Sequence, residues 1–304
     1  MMYEAPWNEK PYCRFMEFIR PQADRYLILR DMLEEMGFDW LTINLEGNRH
    51  FFVLPSGRNL LRVERPAAFM PKTVLTAHYD RVEGSPGAND NSAAVFELLD
   101  TALKLRERRL QDYLIIFTDK EELRRGEGVR DQGSFALGRF LRRLGMGALQ
   151  VFIFDACGTG DSLIISTMAD YLLKDDKRPG TEAARQLARH LRRRALETAR
   201  KLSMEKVLLI PTPFSDDAGF LRAGIIAQTI TMLPSLEAAP FASLIRKRPG
   251  FSGALISRER QEGQDIRLIP ETWRNLNGPA DSHLRLTPEH FKKVVRFALA
   301  LCGD

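Results

Sequence analysis

Cysteine is scarce in this chain. Its 304 residues include three, Cys13, Cys157 and Cys302, far apart in sequence. That count excludes a disulfide framework and a four-cysteine metal cluster, and it suits a reducing compartment. Long apolar runs are missing too: no stretch approaches the roughly 18 uncharged residues a membrane helix requires. The opening Met1-Met2-Tyr3-Glu4-Ala5-Pro6-Trp7 carries charge and proline where a secretory leader has an apolar core, so no signal peptide is visible and a cytoplasmic protein is expected. Neither sign of charge dominates. Against 40 Asp+Glu stand 45 Lys+Arg, a net charge of +5, too weak to imply a nucleic-acid partner. Internal repeats and low-complexity tracts are absent. What is present builds a core: 44% hydrophobic and 28% charged residues describe a packed domain, not a disordered chain.

Periodicity then places the elements. Residues 14–37 alternate as an amphipathic helix, with Pro21 expected to break or kink it. Short strand-like runs come next at 41–45, 50–54 and 60–63, punctuated by Gly47-Asn48 and Pro55-Ser56-Gly57. From there strand and helix alternate: strands at 73–77, 113–117, 149–154, 207–210 and 225–233, and helices at 92–105, 132–144, 181–202, 216–223 and 288–301. Continuous apolar strands at this spacing imply a doubly wound α/β domain, a mostly parallel central sheet with helices on both faces. Residues 1–304 read as one domain, with a helical N-terminal segment at 1–37. Residues 234–272, rich in Pro, Gly and Arg and weakly periodic, read as an inserted loop or lid. The basic helix around Arg192-Arg193-Arg194 has ordinary apolar spacing and interspersed Glu182 and Glu197, so it reads as a solvated face.

The chemistry gathers at strand ends. The strand at 73–77 runs into His78-Tyr79-Asp80, the next into Asp119-Lys120-Glu121-Glu122, the third into Asp155. Between the first strand and its helix lies Pro86-Gly87-Ala88-Asn89-Asp90-Asn91. Open α/β sheets bind ligands beyond the C-terminal strand ends. One imidazole and several carboxylates would share that crevice, and carboxylates so close need a positive partner, most simply a divalent metal. Taken singly, Asp90 has the bland reading of a helix cap and His78 that of a core histidine; successive strand ends make the joint coincidence improbable.

His78-x-Asp80, Gly87-Ala88-Asn89-Asp90-Asn91, Glu121-Glu122, Asp155 and Ser215-Asp216-Asp217-Ala218-Gly219-Phe220, in that order, resemble the co-catalytic zinc exopeptidase family. That family includes bacterial leucyl-type aminopeptidases, glutamate carboxypeptidases and, as cousins, glutaminyl cyclases. The resemblance implies a phosphorylase/hydrolase-like α/β fold. It implies that Asp90 bridges two zinc ions, that His78 and Asp155 complete one shell, and that Glu122 is a ligand of the other. Glu121 would be the general base toward a metal-activated water, and Asp80 the outer partner that orients His78. The implied activity is a zinc-dependent aminopeptidase acting on a peptide or small amino-acyl substrate, with no nucleic-acid or membrane partner and no oligomeric state indicated.

The chain departs from the family at the last ligand, which is a histidine there. Aligning Pro279 and Asp281 with the family's pattern puts Asn277 at that place, and His283, six residues later, is the other candidate. An amide oxygen is a poor zinc ligand beside imidazole. One zinc is therefore expected firmly and a second only weakly. The departure also motivates two rivals: a catalytically weak homologue that binds a peptide or amino acid, and a glutaminyl-cyclase-like acyltransferase. Phe241, Phe251 and Arg246-Lys247-Arg248 of the insertion are expected to wall the substrate pocket. Lys120 would lower the pKa of Glu121 if it turned inward, though a solvated position is expected.

Overall fold

The computed structural model describes residues 6–57, 71–255 and 264–303. Apolar residues that alternate along the central strands build the core on both faces of one sheet. Among the described residues, eight strands lie in the order β1-β2-β4-β3-β5-β8-β6-β7. They are β1 Asp39–Leu45, β2 Asn48–Leu54, β3 Thr73–His78, β4 Tyr113–Thr118, β5 Gln150–Phe154, β6 Ser162–Ser166, β7 Val207–Ile210 and β8 Ala227–Leu233. The centre, β4-β3-β5-β8, is parallel; β2 joins β4, and β6 joins β8, antiparallel. The mixed sheet thus has the expected parallel middle, with helices on both faces.

Ten helices among the described residues cover it: α1 Phe15–Phe18, α2 Arg25–Glu35, α3 Ala93–Glu107, α4 Gly133–Arg143, α5 Met168–Leu173, α6 Thr181–Lys201, α7 Asp216–Ala223, α8 Ser235–Lys247, α9 Glu271–Arg274 and α10 Phe291–Gly303. Period-two alternation sorts the strands' side chains. Leu75, Ala77, Ile115, Phe117, Phe152 and Phe154 face the cluster that includes α2, α3, α6 and α10. Val74, Leu114, Ile116, Val151 and Ile153 face the one that includes α4 and α7. The N-terminal segment breaks between α1 and α2, around Pro21, as its proline predicts. Asp24 caps α2 by accepting from Leu27 N at 3.0 Å. On α6, Arg189 pairs with Glu182 and Arg192 with Asp170, whereas Arg194 departs from the solvated face expected of it and turns inward, donating to Thr73 Oγ1 at 2.9 Å and lying 5.5 Å from the Phe152 ring.

The strand expected at 60–63 lies outside the described residues. Two other expectations change. A strand at Ser162–Ser166, β6, stands where none is expected; it is held between β7, parallel, and β8, antiparallel. The weakly periodic stretch at 234–272 is not simply a loop, because α8 occupies Ser235–Lys247 despite Pro240 inside it. Ala238, Phe241 and Ala242 anchor that helix against Ile164, Ile210 and Leu233, so tertiary packing overrides a weak local pattern.

Candidate active site

The parallel strands β4, β3 and β5 bring their C-terminal ends side by side, with His78 in register with Thr118. His78 is wholly buried at the end of β3. Its Nε2 lies 3.1 Å from Asp90 Oδ1 and 3.7 Å from Asp155 Oδ1, and its Nδ1 lies 3.3 Å from Asp80 Oδ1. Neither ring nitrogen makes a hydrogen bond of good geometry. A buried nitrogen facing two carboxylates without bonding to either is the arrangement a cation would complete. Two groups of side chains can converge on one ion: His78 with Asp90 and Asp155, and His78 with Glu121 and Glu122.

The loop before α3 supplies Asp90. Its backbone is extended (φ −114°, ψ 86°), the Asp90–Asn91 peptide is cis, and Gly87 turns the chain with φ +58°. Asn91 then locks this loop to β5: its Nδ2 donates to Phe154 O at 2.9 Å and its Oδ1 accepts from Ala156 N at 3.2 Å, on either side of Asp155. Asp281 accepts from the backbone of Asn89 (2.8 Å) and Asp90 (3.0 Å). Asp80 performs the same service for the next loop, accepting from Glu121 N at 3.1 Å and Glu122 N at 3.0 Å. Gln132 donates to Glu121 Oε1 at 3.0 Å and to Glu121 O at 3.2 Å.

Burial and crowding set the electrostatics. Burial, then the neighbouring Glu122 charge, raises Glu121 well above the carboxylate range. Burial and Asp90 raise Glu122 likewise, and burial raises Asp90. Burial opposes charge on His78, but the close carboxylates of Asp155, Asp80 and Asp90 outweigh it and raise the imidazole. Such mutual tension among one imidazole and five acids is relieved by a divalent ion. Burial also lifts Asp216 to about 6 and Asp217 to about 7; both stand at the start of α7, beside the cleft residues Pro213 and Phe214.

Asn277 stands beside these acids. With its amide nitrogen turned inward it donates to Glu122 Oε1 at 2.5 Å and Oε2 at 3.1 Å, and to Asp90 Oδ2 at 3.3 Å. Its φ of +63° is a left-handed conformation that asparagine tolerates. His283 neither joins the groups that can hold an ion nor lines the cleft.

A cleft of about 230 Å³ opens over Asp90, Glu121, Asp155 and Asn277. Its apolar wall comes from Phe214, Leu255, Ile266, Ile269, Trp273 and Leu276. The expected wall residues are corrected here. Phe241 and Phe251 are buried beneath the wall, Phe241 meeting Trp273 edge-on at 5.4 Å. Arg246, Lys247 and Arg248 are not among the lining residues, because they end α8 on its polar side. Lys120 points away from Glu121 to pair with Glu127 at 3.1 Å. Cys157 is an inert buried thiol, raised by burial, with Sγ 3.4 Å from Ile230 O.

Fold and site together define a metallopeptidase-type α/β scaffold with an acid-and-imidazole crevice at its strand ends. The chain belongs to peptidase family M28, whose pattern it matches over residues 64–249. No curated protein matches it in sequence. Solved structures share the fold at low identity. The LapA aminopeptidase of Legionella pneumophila superposes with a TM-score of 0.61 at 14% identity, covering 96% of this chain and 69% of that one. A glutaminyl cyclase of Bacteroides thetaiotaomicron gives 0.61 at 16%, covering 96% and 94%. The zinc aminopeptidase BSAP of Bacillus subtilis gives 0.50 at 20%, covering 83% of this chain; the chain spans only 48% of that enzyme's length.

Proposed function

We propose that the chain is a zinc-dependent exopeptidase, an aminopeptidase that hydrolyses the N-terminal peptide bond of a peptide or small amino-acyl substrate. The observation that carries this reading is the bare Nε2 of His78 facing Asp90 and Asp155, with Glu121 beside it on the cleft. In this reading His78, Asp90 and Asp155 hold one zinc. When bound, zinc polarises the scissile carbonyl and acidifies the attacking water. Glu121 takes that water's proton and hands it to the leaving amine. Gln132 fixes the Glu121 carboxylate, and Asp80 orients His78 through Nδ1 while holding the Glu121 and Glu122 amides. The apolar wall excludes water from the reacting bond.

Glu122, Asp90 and Asn277 are what remains for a second ion. A neutral amide weakens that site relative to imidazole, so one zinc is held firmly and a second only loosely. The same observation favours the second reading, a homologue that binds a peptide or amino acid and turns over little. A glutaminyl-cyclase-like acyltransferase ranks third. Three free cysteines, two of them buried, support a cytoplasmic setting; among the described residues no helix is long and apolar enough to cross a membrane.

The deciding experiment pairs zinc content per chain with hydrolysis of a panel of aminoacyl-anilides, with and without added zinc, manganese or cobalt. One retained zinc with turnover stimulated by further metal supports the aminopeptidase. Bound zinc with no turnover on any substrate puts the binding reading in front, and release of ammonia from N-terminal glutaminyl peptides, leaving a pyroglutamyl peptide, would favour the acyltransferase.

A further inference from the structure

The N-terminal segment lies outside the stretch that matches the family, yet it reaches the loop that carries the site. Arg25 opens α2 and is 5% exposed. Its Nη1 donates to the carbonyls of Tyr79 (3.2 Å) and Asp80 (3.0 Å). Its Nη2 donates to the carbonyls of Pro86 (2.8 Å) and Gly87 (3.2 Å) and to Ser92 Oγ (2.8 Å). One guanidinium thereby joins the loop's first residues, next to His78 and Asp80, to its last, on either side of Asp90. The loop answers with Arg81, which donates to the carbonyls of Ile19 (3.2 Å), Arg20 (2.7 Å) and Pro21 (2.6 Å) in the N-terminal segment.

The fit is close. A Cβ on Gly87 would stand 2.8 Å from Arg25 Nη2 and 2.7 Å from Asp90 O, so the turn is moulded around the guanidinium. The Phe18 ring covers the guanidinium at 4.8 Å. Only a planar fork serves acceptors on both sides of a loop at once; an ammonium offers a point charge.

We propose that Arg25 is a positioning residue for the metal site: from outside the family's matched stretch, it sets the spacing of His78 and Asp80 against Asp90 by clasping both ends of the 79–92 loop. This rests on the reading of His78, Asp90 and Asp155 as metal ligands. A merely structural arginine would lower stability without changing the loop or the ion's affinity selectively.

The test compares Arg25→Met with Leu29→Ala, a core truncation in the same helix. Amide hydrogen exchange over residues 79–92 is read on the metal-free chains, and the zinc dissociation constant by competition with a chelator. Arg25→Met is expected to speed exchange in that loop and to weaken zinc by about tenfold or more, the range for lost outer-shell contacts. Leu29→Ala is expected to lower Tm while leaving zinc affinity within about twofold, since it touches no polar contact of the loop. Equal effects of the two variants, or no effect of Arg25→Met on loop exchange, would overturn the proposal. Should Arg25→Met not fold, Arg25→Lys keeps the charge and loses the fork, and the same two outcomes decide. A wild-type chain that binds no zinc would refute the metal reading, while the exchange comparison still judges the clasp.

Discussion

Glu121 and Asn277 face the same cleft with opposite consequences. Glu121 is buried, crowded by Glu122 and bonded to Gln132, and in the proposed mechanism it is the proton carrier. Glu121→Gln removes the carrier with little change in shape; turnover is expected to fall by about 10²–10⁴-fold with zinc content unchanged, as paired kinetics and metal analysis would show. Asn277 offers an amide where the family places an imidazole. Asn277→His is expected to raise the affinity for a second metal ion, visible as a second binding step in calorimetry, because imidazole binds zinc far better than a neutral amide. The imidazole is compatible with that backbone, since histidine too is enriched at positive φ.

Between residues and the sheet, the elements work through their ends. The turn before α3 is placed mainly from outside: its Asn91 bonds to β5, and Asp281 from the segment before α10 and Arg25 from α2 hold its backbone. Asp281 is the plainest case, one carboxylate receiving two successive amides. Asp281→Ala orphans both buried N–H groups, at about 1–3 kcal/mol each in the limit of no rearrangement. Lower urea stability together with weaker zinc binding is expected; a loss of stability with unaltered zinc affinity would show that Asp90 finds its place without Asp281. None of these partners was legible in the sequence. Asn91 lies 63 residues from Phe154, Asp281 lies 192 from Asn89, and Arg25 lies 54 to 67 from the groups it holds, and nothing local marks such a pairing. The ligand candidates were legible because His78, Glu122 and Asp155 stand at or just past the ends of β3, β4 and β5 and Asp90 lies in the loop that leaves β3, and strand ends in a parallel sheet are neighbours by construction. The segment at 234–272 misled for the opposite reason: α8 is stabilised by what it packs on, which periodicity does not report.

For the whole molecule, the N-terminal segment is joined to the sheet's helical layer by aromatic packing. Phe96 of α3, wholly buried, meets Phe15 at 5.1 Å and Phe18 at 5.5 Å. Phe96→Ala is expected to cost about 3–5 kcal/mol, read as a shift of the urea midpoint. Acid groups buried near the site give the metal-free chain a particular pH dependence. Asp217 is raised to about 7 by burial, so the folded state binds its proton more tightly than the unfolded state does. The contribution of Asp217 to the stability of the metal-free chain is therefore fully present below the unfolded carboxylate pKa and is lost as pH rises from about 4 through about 7. Asp217→Asn should flatten that fall, by up to roughly 3 kcal/mol between pH 4 and 8, measured by denaturant unfolding in the presence of a chelator.

Composition and periodicity by themselves determined the α/β class, the order of most strands and helices, and the set His78, Asp80, Asp90, Glu121, Glu122 and Asp155 as one crevice. These are local facts, carried by alternation and by the residues at the end of each strand. Only the tertiary structure decided that Asn277 and not His283 stands beside Glu122, that Leu255, Ile269 and Trp273 wall the cleft in place of Phe241 and Phe251, and that Arg25 reaches the Asp90 loop. Those are choices among distant segments, and they are made by which surfaces bury one another, a quantity that no stretch of sequence contains alone.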